Sequence, residues 1–238
     1  MLPAAPAAFP RLPVTSGVVG HWSNRGIVPR AADKTEVSGW RDSSGANDFF
    51  RDPGEFFPQL APTQNGHVTV SFATSEGLRL EQTDVQDGDP GEAFFAWRSN
   101  SVPAAINSAY QFCGVAAVTK SLYTFSDDLI YDFFAGDARR SFSQNPAGVV
   151  RTWHIYHAIG ELGLNQFRIN GVNQFTSTTN TALNWRSGPT EPWFLGFSLV
   201  GGIRRVFDGQ MGEFVVYSPT LSTADRDSVL TYLSDKWT

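Results

Sequence analysis

Short runs of apolar residues, separated by clusters of turn-forming residues, dominate most of this sequence. The run HVTVSF at 67–72 alternates apolar and polar residues, as a half-buried β-strand does. The runs AFFAW at 93–97 and FVVY at 214–217 are apolar at every position, which predicts inner strands covered on both faces. The pattern predicts an all-β fold.

A β-hairpin is predicted at 167–175, FRINGVNQF. Apolar and polar residues alternate before the pair Asn170-Gly171, and Val172, two polar residues and Phe175 follow it. Asn-Gly adopts the positive φ angles of a tight hairpin turn more readily than almost any other pair. We interpret this hairpin as scaffold that fixes the register of two neighbouring strands.

One helix is predicted at the end of the chain, in LSTADRDSVLTYLSDKW at 221–237. Ser222 is in position to cap it, and Asp225 follows in the capping-box position. Apolar residues then recur at helical spacing and form one stripe: Val229, Leu230, Leu233 and Trp237. Short strands with one terminal helix indicate a β-sandwich whose edge or open end the helix covers.

The first 16 residues form a separate segment, MLPAAPAAFPRLPVTS, which contains four prolines. It is predicted to be an extended arm that has no means of burying itself, followed by one domain at 17–238. If the arm is ordered, we expect it to lie on a partner or a neighbouring subunit, with Phe9 and Leu12 as anchors. The alternative is a frayed terminus.

Composition and charge exclude some classes of protein. The chain has 238 residues, of which 41% are hydrophobic, and this supports a real core. Its formal net charge is −5 and its arginines form no basic run, so nucleic acid is not an expected partner. No apolar run reaches membrane-spanning length, and the N-terminus lacks the basic region of a signal peptide. We therefore expect synthesis in a cytoplasm without a signal peptide.

Three blocks of the sequence resemble the laminin-G-like domains of bacteria and phages. The first runs from VVGHWS at 18–23 through VSGWRDSSGAND at 37–48, the second contains the Asn-Gly hairpin, and the third is the closing stretch 207–237. The resemblance implies a concanavalin A-like jelly roll, in which two antiparallel sheets pack face to face and one of them is concave.

The sequence contains no recognisable catalytic motif. Glycosidases of this fold carry Glu-x-Asp-x-x-Glu on one strand, and no Glu-x-Asp occurs here. Motifs for a serine nucleophile elbow, a zinc protease or a phosphate loop are also missing. Glu213 is interpreted as a structural hydrogen-bonding residue, and Asp42 as a turn residue that accepts backbone N–H groups. We expect no catalytic residues.

Candidate binding residues come from two regions. Trp185 and Trp193 flank a loop and are candidates for stacking on sugar rings, although core packing is the alternative. Arg139 and Arg140 are further candidate ligand-binding residues. Asp127 and Asp128 are the candidate ligands for a calcium ion, with a solvated loop or arginine pairing as the alternative. No other cofactor is expected.

Three functions are compatible with these patterns. The first is a decoration or attachment protein on the surface of a phage virion, bound to capsid or other virion proteins or to further copies of itself. The second is a secreted lectin-like domain that binds cell-surface carbohydrate. The third is a degenerate glycoside hydrolase, which the missing carboxylates disfavour.

Overall fold

A computed structural model describes residues 11–45, 47–51, 56–73, 76–80, 88–100, 107–111, 121–124, 129–132, 140–143, 151–183, 192–200 and 203–238. These residues form two large antiparallel sheets, a small two-stranded sheet and a C-terminal helix. The all-β sandwich with one terminal helix is therefore confirmed.

The first sheet has eight strands. In spatial order, seven of them are β15 (Val172–Ser177), β14 (Leu164–Ile169), β13 (His154–Glu161), β8 (Gly91–Ser99), β19 (Gly209–Tyr217), β6 (His67–Phe72) and β5 (Gln59–Gln64). The eighth, β1 (Val18–Trp22), pairs with the second half of β19. Asn170 and Gly171 have φ angles of 49° and 78° and join β14 to β15, which confirms the predicted hairpin.

The second sheet has nine strands. In spatial order they are β12 (Arg140–Ser143), β11 (Leu129–Asp132), β10 (Ser121–Thr124), β9 (Asn107–Gln111), β16 (Trp193–Leu195), β7 (Leu78–Leu80), β4 (Phe49–Arg51), β3 (Val37–Trp40) and β2 (Ile27–Pro29). The small sheet contains β17 (Phe197–Val200) and β18 (Ile203–Val206).

The main core lies between the two large sheets. Phe95 and Phe214 reach it from the first sheet, and Trp40, Phe49 and Trp193 reach it from the second. All five side chains are at most 1% exposed. Side chains alternate between the faces of a strand, so the neighbouring residues of the first sheet point to its outer face.

The outer face of the first sheet is covered by helix α1 (Thr223–Trp237). Phe94 and Val215 form a second apolar cluster with Val229, Leu233 and Trp237 of the helix, and all of these side chains are buried. The helix therefore packs on the middle of the sheet, and the expectation that it covers an edge or open end is wrong. The physical reason is that β8 and β19 are apolar on both faces and need cover on both.

The N-terminus of α1 is capped as the sequence predicted. The Ser222 hydroxyl accepts a hydrogen bond from the backbone N–H of Asp225 at 3.2 Å and donates to the Asp225 carboxylate at 2.7 Å. Leu230 is only half-buried at the margin of the apolar cluster. Three of the four residues of the predicted apolar stripe are therefore fully buried, as expected: Val229, Leu233 and Trp237.

Residues 11–16 lie against the domain. Leu12 and Val14 are half-buried and pack on the cluster beneath α1. The main-chain oxygen of Val14 also accepts a hydrogen bond from the Tyr217 hydroxyl at 3.0 Å. This part of the predicted arm does bury itself, because the outer face of its own sheet offers apolar surface beside the helix. Phe9 lies outside the described residues.

Candidate functional site

Glu213 lies at an irregular point of β19, where the neighbouring strand changes. β19 pairs with β6 through residues 209–211 and with β1 through residues 214–217. A β-bulge on its β8 side leaves Gly212 without a partner, and this extra residue turns Glu213 away from the core and toward α1. Gly212 has no room for a side chain, since a Cβ there would lie 2.6 Å from the ring of Trp237.

Four side chains donate hydrogen bonds to the buried carboxylate of Glu213. Its Oε1 accepts from Nε2 of His21 at 2.5 Å and from the hydroxyl of Tyr232 at 2.8 Å. Its Oε2 accepts from Nζ of Lys236 at 2.6 Å and from Nε1 of Trp237 at 3.0 Å. This contact set confirms the interpretation of Glu213 as a structural hydrogen-bonding residue.

The network holds Glu213 in its charged form. Burial alone would raise its pKa, but the hydrogen bond from His21 and the charge of Lys236 outweigh burial and lower the pKa to about 2. Burial and the negative charge of Glu213 raise the pKa of Tyr232. The phenol therefore stays protonated and acts as a donor to the carboxylate.

A turn that begins at Asp42 forms hydrogen bonds with His21, on the side of the imidazole ring that faces away from Glu213. Nδ1 of His21 lies 3.0 Å from Oγ of Ser43, which also donates to the main-chain oxygen of His21 at 2.7 Å. Oδ1 of Asp42 accepts from the backbone N–H groups of His21 and Ser44, each at 2.8 Å. Asp42 is therefore a turn residue, as predicted.

Ser43, His21 and Glu213 form a chain of hydroxyl, imidazole and carboxylate, the order of groups that activates a serine nucleophile. A serine hydroxyl has one proton, and the shorter contact of Ser43 directs it to a main-chain oxygen. Glu213 is also shared with the ammonium group of Lys236 at 2.6 Å. This geometry favours a rigid network over proton transfer.

A cavity of about 590 Å³ adjoins the network, a volume within the range of roughly 300–1,000 Å³ that small-molecule sites have. Thr15, His21, Ser43 and Ser44 supply hydroxyl and imidazole groups to its wall. The protons of Ser43 and Ser44 are donated within the protein, so these two residues offer oxygen acceptors to the cavity, and Thr15 adds a further hydroxyl.

Other parts of the wall are cationic or apolar. Arg11, Arg25 and Lys236 line the cavity, and no Asp or Glu is among the lining residues within the described ranges. Leu12 and Val18 add apolar surface. The carboxylate of Glu213 lies behind the wall, where its four donors surround it.

Glu92 forms a second buried network at the other end of α1. Its Oε2 accepts from Nε2 of His157 at 2.6 Å and from Nε of Arg226 at 2.8 Å, and its Oε1 accepts from the backbone N–H of Leu221. The ring of His157 stacks on Phe94 with 4.1 Å between centroids. Both Glu92 and His157 are fully buried, so this network fastens the helix to the sheet.

The two buried groups titrate in ways that follow from this packing. Burial would raise the pKa of Glu92, but the hydrogen bonds from His157 and Arg226 lower it. Burial lowers the pKa of His157, and the hydrogen bond from Glu92 does not offset that effect. The neutral imidazole is therefore the form that the fold favours.

The three predicted site residues that the structure describes, Leu12, Arg140 and Trp193, lie in different parts of the fold. Leu12 lines the cavity and packs on its own domain, and the contact with a partner expected of it stays a prediction. Trp193 is 1% exposed and belongs to the core, so its ring is not available for stacking on a sugar. Arg140 begins β12 at the edge of the second sheet. Phe9, Trp185, Arg139, Asp127 and Asp128 lie outside the described residues.

No group of three or more His, Cys, Asp and Glu side chains within the described residues is placed to hold a metal ion. The calcium site at Asp127 and Asp128 stays a prediction. No helix in the described part of the chain is long and apolar enough to cross a membrane.

Sequence reasoning missed the cationic and hydroxyl groups of the cavity. His21 and Ser43 stand in blocks that resemble the laminin-G-like domains, and we interpreted those blocks only as signals of fold. The contact of His21 with Glu213 joins residues 192 positions apart. No local spacing in one sequence reveals a contact of that kind.

Comparison with solved structures finds the same fold in carbohydrate-related proteins. Domain 4 of a GH43 extracellular arabinanase from Geobacillus stearothermophilus, in complex with arabinotriose, has a TM-score of 0.62 and 14% identity, covering 91% of this chain and 98% of that domain. Trypanosoma rangeli sialidase in complex with sialic acid has a TM-score of 0.62 and 10% identity, over 99% of this chain and 36% of that one.

An arabinofuranosidase complexed with arabinofuranosyl-alpha-1,2-xylobiose matches with a TM-score of 0.59 and 16% identity, over 83% of this chain and 50% of that one. This chain thus spans only about a third of the sialidase and half of the arabinofuranosidase. No protein-family model matches the sequence, and no curated protein matches it. At these identities the comparisons define the class, a β-sandwich domain, and the resemblance to laminin-G-like domains stays a prediction.

Proposed function

We propose that this β-sandwich is a non-catalytic carbohydrate-binding domain and that the cavity beside His21 holds its ligand. The observation that carries the proposal is the composition of the cavity wall. Hydroxyl, imidazole and cationic groups converge there beside Leu12 and Val18. A sugar presents many hydroxyl groups on one side and C–H surface on the other, so it needs this mixture of polar and apolar contacts.

The fold supports the proposal independently. Domain 4 of the Geobacillus stearothermophilus arabinanase, solved with arabinotriose, matches this chain over nearly its whole length. That match concerns a separate domain, whereas the sialidase and arabinofuranosidase matches cover only part of larger chains. The arabinanase domain therefore makes a carbohydrate ligand the first class to test.

Three features favour binding without catalysis. Glycosidases generally use two carboxyl groups, one on each side of the scissile bond, and no carboxylate lines the cavity in the part of the chain that the structure describes. The carboxylate of Glu213 has a pKa lowered to about 2 and four donors, so it has no proton to give at neutral pH. The Ser43 proton is directed to a main-chain oxygen.

Calorimetric titration with a panel of neutral and acidic oligosaccharides tests the binding. Thr15 is exposed at the cavity, so Thr15→Trp should fill the space and abolish binding without unfolding the domain. Phe50, 62% exposed on the second sheet, provides the control. If Phe50→Ala loses binding and Thr15→Trp retains it, the ligand lies on the exposed face of the second sheet beside Phe50, and the proposal is contradicted.

The same panel tests catalysis. Incubation with the wild-type protein should release no reducing sugar from any oligosaccharide. Release that Ser43→Ala or Glu213→Gln abolishes would show that the chain from Ser43 to Glu213 is an active site.

A second candidate function is attachment to the surface of a phage virion. The observation that favours it is the proline-containing segment 11–16, which has no regular structure and exposes Arg11, Pro13 and Thr15 along one side. Such a segment costs little entropy when it docks on a capsid protein or on another copy of the chain. Deletion of residues 1–16, which removes this segment, should then abolish attachment to particles in a co-sedimentation assay. Undiminished attachment of the truncated protein would contradict this role.

A further inference from the structure

We propose that the cavity selects sugars that carry a negatively charged group, a carboxylate or a sulfate. This inference rests on the proposed carbohydrate binding and adds the class of ligand. Three cationic side chains, Arg11, Arg25 and Lys236, line the cavity, and none of its described lining residues is acidic. The formal net charge of the whole chain is −5, so this concentration of positive charge runs against the composition of the protein.

Two carboxylates, Glu213 and Asp42, bond to residues of the cavity wall. Glu213 is fully buried and its two oxygens accept from four donors. Asp42 is 7% exposed, and its Oδ1 accepts from the backbone N–H groups of His21 and Ser44 and from the Ser44 hydroxyl. Their lone pairs are engaged with the protein. The side chains of Arg11 and Arg25 are exposed to solvent.

Arg25 is presented by a fixed turn. It lies in the short 3-10 turn Asn24–Gly26, where the backbone N–H of Gly26 donates to the main-chain oxygen of Ser23 at 2.9 Å. The main-chain oxygen of Gly26 accepts from the backbone N–H of Arg41 at 2.7 Å. A Cβ at Gly26 would lie 2.2 Å from the main-chain oxygen of Arg41, so only glycine permits this close approach. The base of the Arg25 side chain is therefore preorganised.

The three cations have different roles. A guanidinium group presents its N–H donors as a planar fork that matches carboxylate and sulfate oxygens in pairs. Arg25 and Arg11 can therefore bind the charged group directly. The charge of Lys236 is compensated by Glu213 at 2.6 Å, so Lys236 acts mainly by fixing the cavity wall. The Thr15 hydroxyl can contact the sugar hydroxyl groups. Ser43 and Ser44 donate their protons within the protein, so their oxygen atoms can serve a sugar only as acceptors.

The test compares three matched oligosaccharides by calorimetric titration: one with uronic acid residues, one with sulfated residues and one neutral. At low salt the better anionic ligand should bind at least about tenfold more tightly than the neutral one, because a hydrogen bond between charged groups contributes that much or more. High salt should narrow the difference, since it screens exposed charges. Comparison of the affinities for the uronate and sulfated oligosaccharides identifies which anion the cavity prefers.

Matched variants connect the preference to the cavity. Arg25→Gln should weaken anionic ligands by about tenfold and leave the neutral ligand unchanged, and Arg11→Gln should act in the same direction. Lys34→Gln removes one exposed charge outside the cavity wall and should change neither affinity. Melting temperatures should confirm that all three variants fold.

The outcomes separate this inference from the function on which it rests. Equal affinity for neutral and anionic ligands, with binding lost in Thr15→Trp, would overturn the charge selection and leave carbohydrate binding intact. An equal loss of both ligand types in Arg25→Gln would also overturn it. Binding of no oligosaccharide at all would overturn both proposals.

Discussion

Glu92 and Glu213 lie on the same face of the neighbouring strands β8 and β19, four residue positions apart. Glu92 pairs with Tyr217, and Glu213 pairs with Ala96. Both carboxylates are fully buried beneath α1, and each accepts a hydrogen bond from a histidine and from a cation of the helix. The sheet thus presents two anionic positions to one helix.

The spacing of the helix cations matches the spacing of these carboxylates. Four residues along a strand span about 13 Å. Arg226 and Lys236 are ten residues apart, and a helix of that length spans about 15 Å. Each cation therefore lies close to one carboxylate when the helix runs along the strands, and the two ion pairs fix where on the apolar face the helix lies.

The first prediction concerns Glu213→Gln. The substitution leaves the ammonium group of Lys236, which is 5% exposed, without its counter-charge. Breaking a buried pair in this way typically costs about 3–5 kcal/mol, since an uncompensated charge stays buried. Denaturant unfolding at neutral pH should show a loss of stability of that order.

A double-mutant cycle provides the control. Lys236→Met alone leaves the charge of Glu213 buried and should also destabilise the domain. The combined variant Glu213→Gln/Lys236→Met carries neither charge, so its loss should be smaller than the sum of the two single losses. Additive losses would mean that the pair contributes no coupling energy.

The second prediction concerns acid. The pKa of Glu213 is about 2 in the folded state, below its ordinary value of 4.5, so the unfolded state binds more protons between these values. Its contribution to stability is complete above about pH 5 and is lost as the pH falls toward 2. The full shift corresponds to roughly 3 kcal/mol.

Two other groups act in the same direction. The pKa of Glu92 is lowered, and the pKa of His157 is lowered from 6.5. Stability should therefore begin to fall just below pH 6.5, where the unfolded histidine takes up a proton. Unfolding free energies measured from pH 7 to pH 3 test this. The Glu213→Gln variant should lose less stability than wild type below pH 5, and an equal loss would contradict the assigned pKa.

The elements whose pattern is local were predictable from the sequence. The Asn170-Gly171 turn, the cap at Ser222 and the two-sided strands at 93–97 and 214–217 each depend on residues close together in the chain. The position of the helix was not predictable in the same way. Strands apolar on both faces require two covering layers, but their sequence does not say which element supplies the outer one.

The cavity was harder to predict than the fold. Its wall joins residues near 11, 21, 43 and 236, which are separated along the chain and meet only because β1 pairs with β19 beside the helix. The bulge at Gly212 decides that Glu213 points toward the helix, and an alternating pattern cannot reveal it. The sequence is enough to interpret Glu213 as a structural residue. Its four hydrogen-bond donors, however, can be identified only from the fold.

The third prediction concerns the helix. Leu233 is completely buried between α1 and the outer face of the first sheet. Leu233→Ala should therefore cost roughly 2–5 kcal/mol, as large-to-small changes in a core do. Thr231 is exposed on the same helix, so Thr231→Ala should change stability little. A chain that ends at Ser218 but melts like the full chain would show that the helix adds no stability.

The fourth prediction separates two lengths of N-terminal deletion. Removing residues 1–16 exposes the apolar surface that Leu12 and Val14 cover and deprives the Tyr217 hydroxyl of its acceptor, the Val14 main-chain oxygen. This should cost roughly 2 kcal/mol of unfolding free energy. It should also weaken oligosaccharide binding, since Arg11 and Leu12 belong to the cavity wall.

Removing only residues 1–10 should leave both measurements, the unfolding free energy and the oligosaccharide affinity, close to wild type. If the longer deletion binds and unfolds like the shorter one, residues 11–16 contribute neither to the fold nor to the cavity, and the ligand must be held by β1, the turn at 42–45 and α1 alone.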